Sequence, residues 1–203
     1  MLDNSIHEHI TTELDPDLLS TPFRVQTSWH VITGAPCCGK TTLIDQLADK
    51  GFRTIPEAGR QYVEREMARG RTIEEIRENE VTFAHRIKDL QLRIEHGLPA
   101  NDIVFLDRAF PDCLSYYRVA GLNPNRILLE CFHHRYASIF LLNRFPVQQD
   151  GVRTEDDVIA GFLDEWLIHD YIALGYRVVR VPVLPPQERL AFVLKNLSEQ
   201  ELK

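Results

Sequence analysis

The densest chemistry in the sequence lies in eight consecutive residues, Gly34-Ala35-Pro36-Cys37-Cys38-Gly39-Lys40-Thr41. They fill the pattern of a glycine, four further residues and Gly-Lys-Thr. A loop of this kind turns main-chain N–H groups inward, and a helix starting behind it adds the positive end of its dipole. Together these make a cradle for oxyanions. Gly39 lets the main chain approach a phosphate closely, and Lys40 sets an ammonium against the β and γ oxygens. The hydroxyl of Thr41 can ligate Mg²⁺, and Thr42 continues the turn. The competing reading is a chance Gly-Lys-Thr in an ordinary strand-to-helix turn. The context argues against it, because the apolar run WHVIT precedes the loop and the amphipathic run TTLIDQLADK follows it. The residues point to a nucleoside triphosphate, ATP in the first instance, bound with Mg²⁺.

A second group falls where a parallel sheet opens its binding crevice. Asp107 ends the apolar run DIVFLD. An acid there can hold a metal-bound water, which with Thr41 makes a metal set, or accept the proton of an attacking hydroxyl. Arg108 beside it can neutralise phosphate charge. Glu57 and Arg60 lie in PEAGR, just behind the second expected strand, and can hold a sugar hydroxyl and a phosphate of the acceptor. Arg144 and Arg153 bracket a segment able to close over the triphosphate and stabilise transition-state charge. Each has a plainer reading: Asp107 and Glu57 as helix caps, and the arginines as solvated surface residues. His7, His9, His133 and His134 lack metal-ligand spacing with nearby acids and read as surface residues.

The elements that must position these groups alternate. Short apolar strands are expected at 29–33, 52–55, 102–107, 138–142 and 176–181. Between them lie helical stretches: one after the phosphate loop closed by Gly51, a long one before Gly97 and Pro99, one ending at Gly175, and a last one opened by Pro186. Thr72 with Glu75 forms a capping box. Val81, Ala84, Ile87, Leu90 and Ile94 recur at helical spacing and read as a core-facing stripe. Thr154 with Asp157 can cap a further helix. Strand–helix alternation with apolar strands predicts a three-layer α/β fold, a mainly parallel sheet covered on both faces. Residues 1–26 lack a clear period and read as an N-terminal extension to one domain over 27–203.

The 203 residues suffice for a single buried core. The net charge of −7 argues against a nucleic-acid binder that works through bulk electrostatics. Cys37, Cys38, Cys113 and Cys131 form no CxxC pair, and two of them sit inside the phosphate loop, so a reducing, cytoplasmic setting is the simplest expectation. No run is apolar enough to span a membrane, and the start of the chain does not read as a signal peptide.

As a set, GAPCCGKTTLIDQLADKGF, PEAGRQYVERE, VFLDRAFPDCLSYYRVAG, RYASIFLLNRFP and ALGYRVVRVPVLPPQERLAFVL resemble the AAA-type P-loop family of small predicted ATPases. That family is akin to thymidylate kinase and to the nicotinamide riboside kinase domain. The resemblance spans about residues 28–197. It implies a P-loop kinase-like fold with a five-stranded parallel sheet, with Asp107 and Arg108 near the acceptor. It also implies an arginine-bearing lid after the fourth strand and a loop, Pro182 to Glu188, bordering the adenine. The sequence departs from the family in placing Cys37 and Cys38 where Gly-Ser is usual, and in carrying few lid arginines. A Mg²⁺-dependent phosphotransferase acting on a small nucleoside- or nucleotide-like molecule is the first expectation. A slow ATPase switch and a nucleotide sensor without turnover are its rivals. A guanine-reading NKxD is absent after the fourth strand, where Asn143-Arg144-Phe145-Pro146 stands.

Overall fold

The computed structural model describes residues 12–145 and 155–201, with main chain only at 155–157 and 198–201. Along the chain run α1 (Pro16–Leu19), β1 (Val25–Gln26), β2 (Trp29–Thr33), α2 (Lys40–Asp49), β3 (Arg53–Ile55), α3 (Ala58–Met67), α4 (Ile73–Arg77) and α5 (Glu80–His96). They are followed by β4 (Val104–Asp107), α6 (Asp112–Val119), two 3₁₀ turns, β5 (His134–Arg135), β6 (Ser138–Leu142), α7 (Glu155–Ala173), β7 (Val178–Val181) and α8 (Pro186–Glu201). Five strands form one parallel sheet in the order β3-β4-β2-β6-β7. β1 and β5 make a separate two-residue parallel pair.

The central strands are buried end to end, as a sheet covered on both faces requires. Successive strand side chains point to opposite faces, and the core divides accordingly. Trp29, Val31, Val104, Leu106 and Ile139 pack with Leu114 and Tyr117 of α6 and Tyr171 of α7. Ile32, Phe105, Phe140 and Leu142 pack with Leu43 and Leu47 of α2 and with Leu190 and Val193 of α8. This is the three-layer α/β arrangement of P-loop kinases. In the register Ile32 lies opposite Asp107 and Thr33 opposite Leu141. The chain leaving β2 therefore enters the phosphate loop directly beside the acid that ends β4.

Three local expectations change. The capping box at Thr72 and Glu75 is present, but it opens the short α4; Asn79 then caps α5 as a new helix. Of the stripe on α5 only Ala84 is fully buried, and Val81 is exposed. The buried positions include Gln91 and Glu95 instead. Glu95 accepts from the Phe110 N–H (2.7 Å), Gln91 (2.9 Å) and the Tyr136 hydroxyl (2.8 Å), which satisfies a charge that would otherwise oppose burial. The helix thus lies over the loop behind β4 and anchors it. His133 and His134 are half-buried rather than surface residues: His134 packs on Trp29, and His133 shares a 3.0 Å hydrogen bond with His96.

The segment 12–26 packs on the domain. Leu14 is buried, Leu18, Leu19 and Phe23 rest against the core, and the Thr12 carbonyl accepts from Arg118 Nε at 2.9 Å. Arg118 in turn makes a bidentate, buried pair with Asp170 that ties α6 to α7.

One core group carries a pH signature. His30 is buried in β2, Nδ1 2.7 Å from Ser138 Oγ, and burial lowers its pKa from the ordinary 6.5 to about 4. Between those values the unfolded chain binds a proton that the folded chain refuses. The stability held above pH 6.5 is therefore lost as the pH falls toward 4. We expect a loss of about 2 kcal/mol at pH 5 relative to pH 7 from this one group. Urea unfolding of the wild type and of His30→Phe at both pH values checks it: the variant should show a smaller drop, and equal drops would refute the assignment.

Candidate active site

The phosphate loop is shaped by backbone angles that its glycines permit. Gly34 sits at φ +140° and Gly39 at +87°. A Cβ on Gly34 would lie 2.8 Å from the Leu142 carbonyl oxygen of β6. Gly34→Ala should therefore destabilise the domain by about 2 kcal/mol or more, lowering Tm by roughly 4–8 °C; an unchanged melting curve would contradict this tight packing. Cys37 adopts φ +59°, a region L-residues rarely enter. Its side chain is exposed, whereas Cys38 is buried among Ile32, Leu43 and Leu142. The loop accommodates both cysteines as free thiols, one on each side of its wall.

α2 starts at Lys40 behind Gly39, and no side chain caps it. Its first turn is thus left without a side-chain acceptor, and the Leu43 N–H donates to the Gly39 carbonyl at 3.3 Å; an uncapped helix start of this kind suits an anion. Lys40 is buried, and its Nζ donates to the carbonyls of Gly34 (3.1 Å) and Ala35 (2.8 Å). Burial lowers its pKa, and the charge of Arg108 lowers it further. The ammonium is thus held at the loop's mouth.

Asp107 is 4% exposed, and its Oδ1 is buried without a hydrogen-bond partner. Burial, and then the charge of Glu57, push its pKa up to about 6, against the pull of Arg108 and Lys40. Arg108 next to it has φ +68°, and its N–H donates to Ile32 O at 3.0 Å. That left-handed turn ends β4 and swings the guanidinium back under the crevice. There Nε donates to Glu57 Oε1 (3.1 Å) and Nη1 to Asp112 Oδ2 (3.3 Å), with the Tyr116 ring centroid 5.1 Å away. Asp112 also accepts from Thr33 (2.7 Å) and Tyr171 (2.9 Å). Burial raises its pKa; Arg108 and these hydroxyls oppose the rise. For Glu57, burial acts to raise the pKa, but Arg108 and then Lys40 outweigh it, and the net shift is downward.

The sheet thus gathers Lys40, Glu57 and the adjacent pair Asp107 and Arg108, from three separate places in the sequence, into one charge-coupled group. Arg60 is exposed on α3, and its charge still reaches Glu57. Arg144 is half-buried along α7, its Nη1 3.2 Å from where a Cβ on Gly161 would stand. Arg153 lies outside the described residues. Thr41 is half-buried in the first turn of α2. The orphaned carboxylate oxygen of Asp107 and the Thr41 hydroxyl suit a hard cation that prefers oxygen ligands and completes its shell with phosphates and water. Among the described residues no cluster of three His, Cys, Asp or Glu is arranged to hold a metal.

Sequence reasoning missed three contributors. Asp112 opens α6 and reads as an ordinary first-turn acid, while Thr33 reads as a strand residue. Arg189 stands one residue past the loop expected to border the adenine. It is buried, and its Nη1 donates to the Cys38 carbonyl at 2.8 Å. With Gly39, Thr42, Leu43, Gln46, Phe145, Leu184 and Pro186 it lines a small cleft of about 100 Å³.

A parallel sheet with a glycine-bent phosphate loop after its central strand and an acid at the end of the next defines a kinase-like P-loop protein. The family model described as AAA domain matches residues 29–189, and the chain belongs to that family. Solved structures share the fold. The NadR protein, described in complex with NR, superposes with TM-score 0.57 at 23% identity over 76% of this chain. This chain spans only 45% of that one. Shikimate kinase from Aquifex aeolicus superposes with TM-score 0.53 at 16% identity, covering 86% of this chain and 98% of its own. Thymidylate kinase from Candida albicans gives 0.54 at 10% identity, covering 86% and 92%. No curated protein matches. No helix among the described residues is long and apolar enough to cross a membrane.

Proposed function

We propose that the protein is a Mg²⁺-dependent phosphotransferase that moves the γ-phosphoryl group of ATP to a hydroxyl of a small nucleoside- or nucleotide-like molecule in the cytoplasm. The observation that carries this reading is the buried, unpartnered Oδ1 of Asp107, a carboxylate within electrostatic reach of Lys40 and Glu57. A mere anion-binding module has no use for a desolvated carboxylate beside its phosphate loop. An enzyme that must hold a metal ion or take a proton has.

In this reading the loop from Gly34 to Gly39 (through Ala35, Pro36, Cys37 and Cys38) wraps the phosphates with its main-chain N–H groups, all but Pro36 having one to give. Lys40 holds the β and γ oxygens, and Thr42 borders the nucleotide beside the cleft. The cleft itself suits a flat base between Leu184, Pro186 and Phe145. Thr41 and Asp107 would hold Mg²⁺, which when bound neutralises charge on the phosphates. Glu57 faces the acceptor. Its hydroxyl oxygen attacks the γ-phosphorus, the bond to the bridging oxygen breaks, ADP leaves, and the hydroxyl proton passes to a carboxylate of the pair Glu57 and Asp107. Arg108 holds that pair in place; Arg60, Arg144 and Arg153 complete the charge balance around acceptor and lid.

The test is coupled detection of ADP from ATP and Mg²⁺ with a panel of hydroxyl compounds. ADP formation should rise at least roughly tenfold with one compound over ATP alone, the signature of positioned transfer. ADP release that no compound accelerates would rule this reading out.

A further inference from the structure

We infer that Gln46 and Arg189 read the base of the bound nucleotide. Gln46 Oε1 takes an N–H of an exocyclic amino group, and Arg189 Nε gives its own N–H to a neighbouring ring nitrogen. The pair selects an amino base, and the apolar walls around it favour the larger purine, adenine. This rests on the nucleotide half of the phosphotransferase reading above and adds the residues that set its specificity.

Among the described residues three buried side-chain polar atoms have no hydrogen-bond partner: Asp107 Oδ1, Gln46 Oε1 and Arg189 Nε. Such atoms are rare in a folded chain, because each gives up its bonds to water and gains none in return. The first stands at the phosphate end of the site. The other two belong to residues of different helices that line the same small cleft beside the phosphate loop. Their chemistries are opposite: an amide oxygen only accepts, and a guanidinium Nε–H only donates. One ligand edge carrying a donor next to an acceptor satisfies both.

The helices put that edge where a base belongs. Gly39, Thr42, Leu43 and Gln46 fall on one face of α2, three and four residues apart. Gln46 therefore stands roughly 10 Å along the axis from Gly39, at 1.5 Å per residue. That leaves room for a sugar between the phosphates and the base. Pro186 and Arg189 close the cleft from the first turn of α8. Arg189 is 5% exposed, and its Nη1 bond to the Cys38 carbonyl holds the guanidinium against the loop. The Phe145 ring lies 5.2 Å from Arg189 Cζ. It is 47% exposed and belongs to no helix or strand, so it can move outward as a base enters and then cover it. Adenine presents its amino group beside ring-nitrogen acceptors. A keto base in the same place would set a carbonyl oxygen against the Gln46 oxygen, and both would stay unmatched.

The test is calorimetric binding of ATP, GTP, CTP, UTP and purine riboside triphosphate to the full chain with Mg²⁺. Purine riboside triphosphate is ATP without its amino group. ATP should bind at least roughly tenfold more tightly than it and than GTP or UTP, the scale of one buried hydrogen bond left unmade. CTP, which keeps the amino group on a smaller ring, should fall between. Of 1-deaza-ATP and 7-deaza-ATP, each lacking one ring nitrogen, one should lose a similar factor and so mark the acceptor of Arg189. In Gln46→Leu the ratio of ATP to purine riboside triphosphate should fall to within about threefold of unity, with the melting temperature held or raised. The analogue series needs no variant, so it decides the matter even where the substitution impairs folding. Equal binding of ATP and purine riboside triphosphate, or an unchanged ratio in a folded Gln46→Leu, would overturn the inference. So would full binding of both deaza analogues, or preference for GTP, UTP or CTP. Each of these leaves the phosphotransferase reading standing where a hydroxyl compound still accelerates nucleoside diphosphate release. No heat with any triphosphate would remove both.

Discussion

Replacing Lys40 by alanine is expected to lower ATP turnover by roughly 10²–10³-fold, the scale of losing one preorganised charge at a developing anion. The side chain is buried, and its ammonium is bonded to the carbonyls of Gly34 and Ala35. It is therefore bonded into the loop itself, as Arg189 is through the Cys38 carbonyl. The substitution also leaves two carbonyls without their donor, so binding and stability must be read separately. Isothermal calorimetry with ATP and Mg²⁺ measures the first, and a melting curve the second. A weakened ATP signal with a melting temperature within a few degrees of wild type is the expected result. Wild-type affinity and turnover in this variant would refute the assignment of the loop.

Asp107→Asn separates binding from chemistry. The amide is nearly the same size as the carboxylate, so the fold should persist; it loses the charge that a metal ion requires and cannot take a proton. Nucleotide binding is expected within about threefold of wild type and turnover to fall roughly 10²–10⁴-fold. The melting temperature should hold or rise, because a buried carboxylate with an unpartnered oxygen is a destabilising group in the ground state. Equilibrium ATP binding and single-turnover ADP formation, measured on the same preparation, check both halves. Full activity would take Asp107 out of the chemistry.

Much of this site was legible in the chain. The loop from Gly34 to Thr41 declared itself because its angles, its cation and its hydroxyl are all consecutive residues; local geometry alone fixes their mutual placement. Asp107 was legible because an acid ending an apolar strand has one destination in a parallel sheet, the crevice. Arg108 was expected to meet phosphate. The structure instead pairs it with Glu57 and Asp112, which stand 51 and 4 residues away from it in the chain. The pairing with Glu57 depends on β3 lying beside β4, a neighbourhood that no local pattern encodes. The stripe on α5 misled for a related reason. Periodicity reports which residues share a face, but not whether that face meets the sheet or a loop. Here Glu95 and Gln91 are buried because the loop behind β4 supplies their partners.

The same division runs through the whole molecule. By itself the sequence determined an alternating α/β chain, the anion-binding turn after its first apolar strand and the acids at strand ends, because each follows from neighbours within a few residues. Only the tertiary structure decided which charges neutralise one another. The strand order β3-β4-β2-β6-β7 brings Lys40, Glu57, Asp107 and Arg108 within mutual electrostatic reach, and coulombic energy depends on distance in space rather than along the chain.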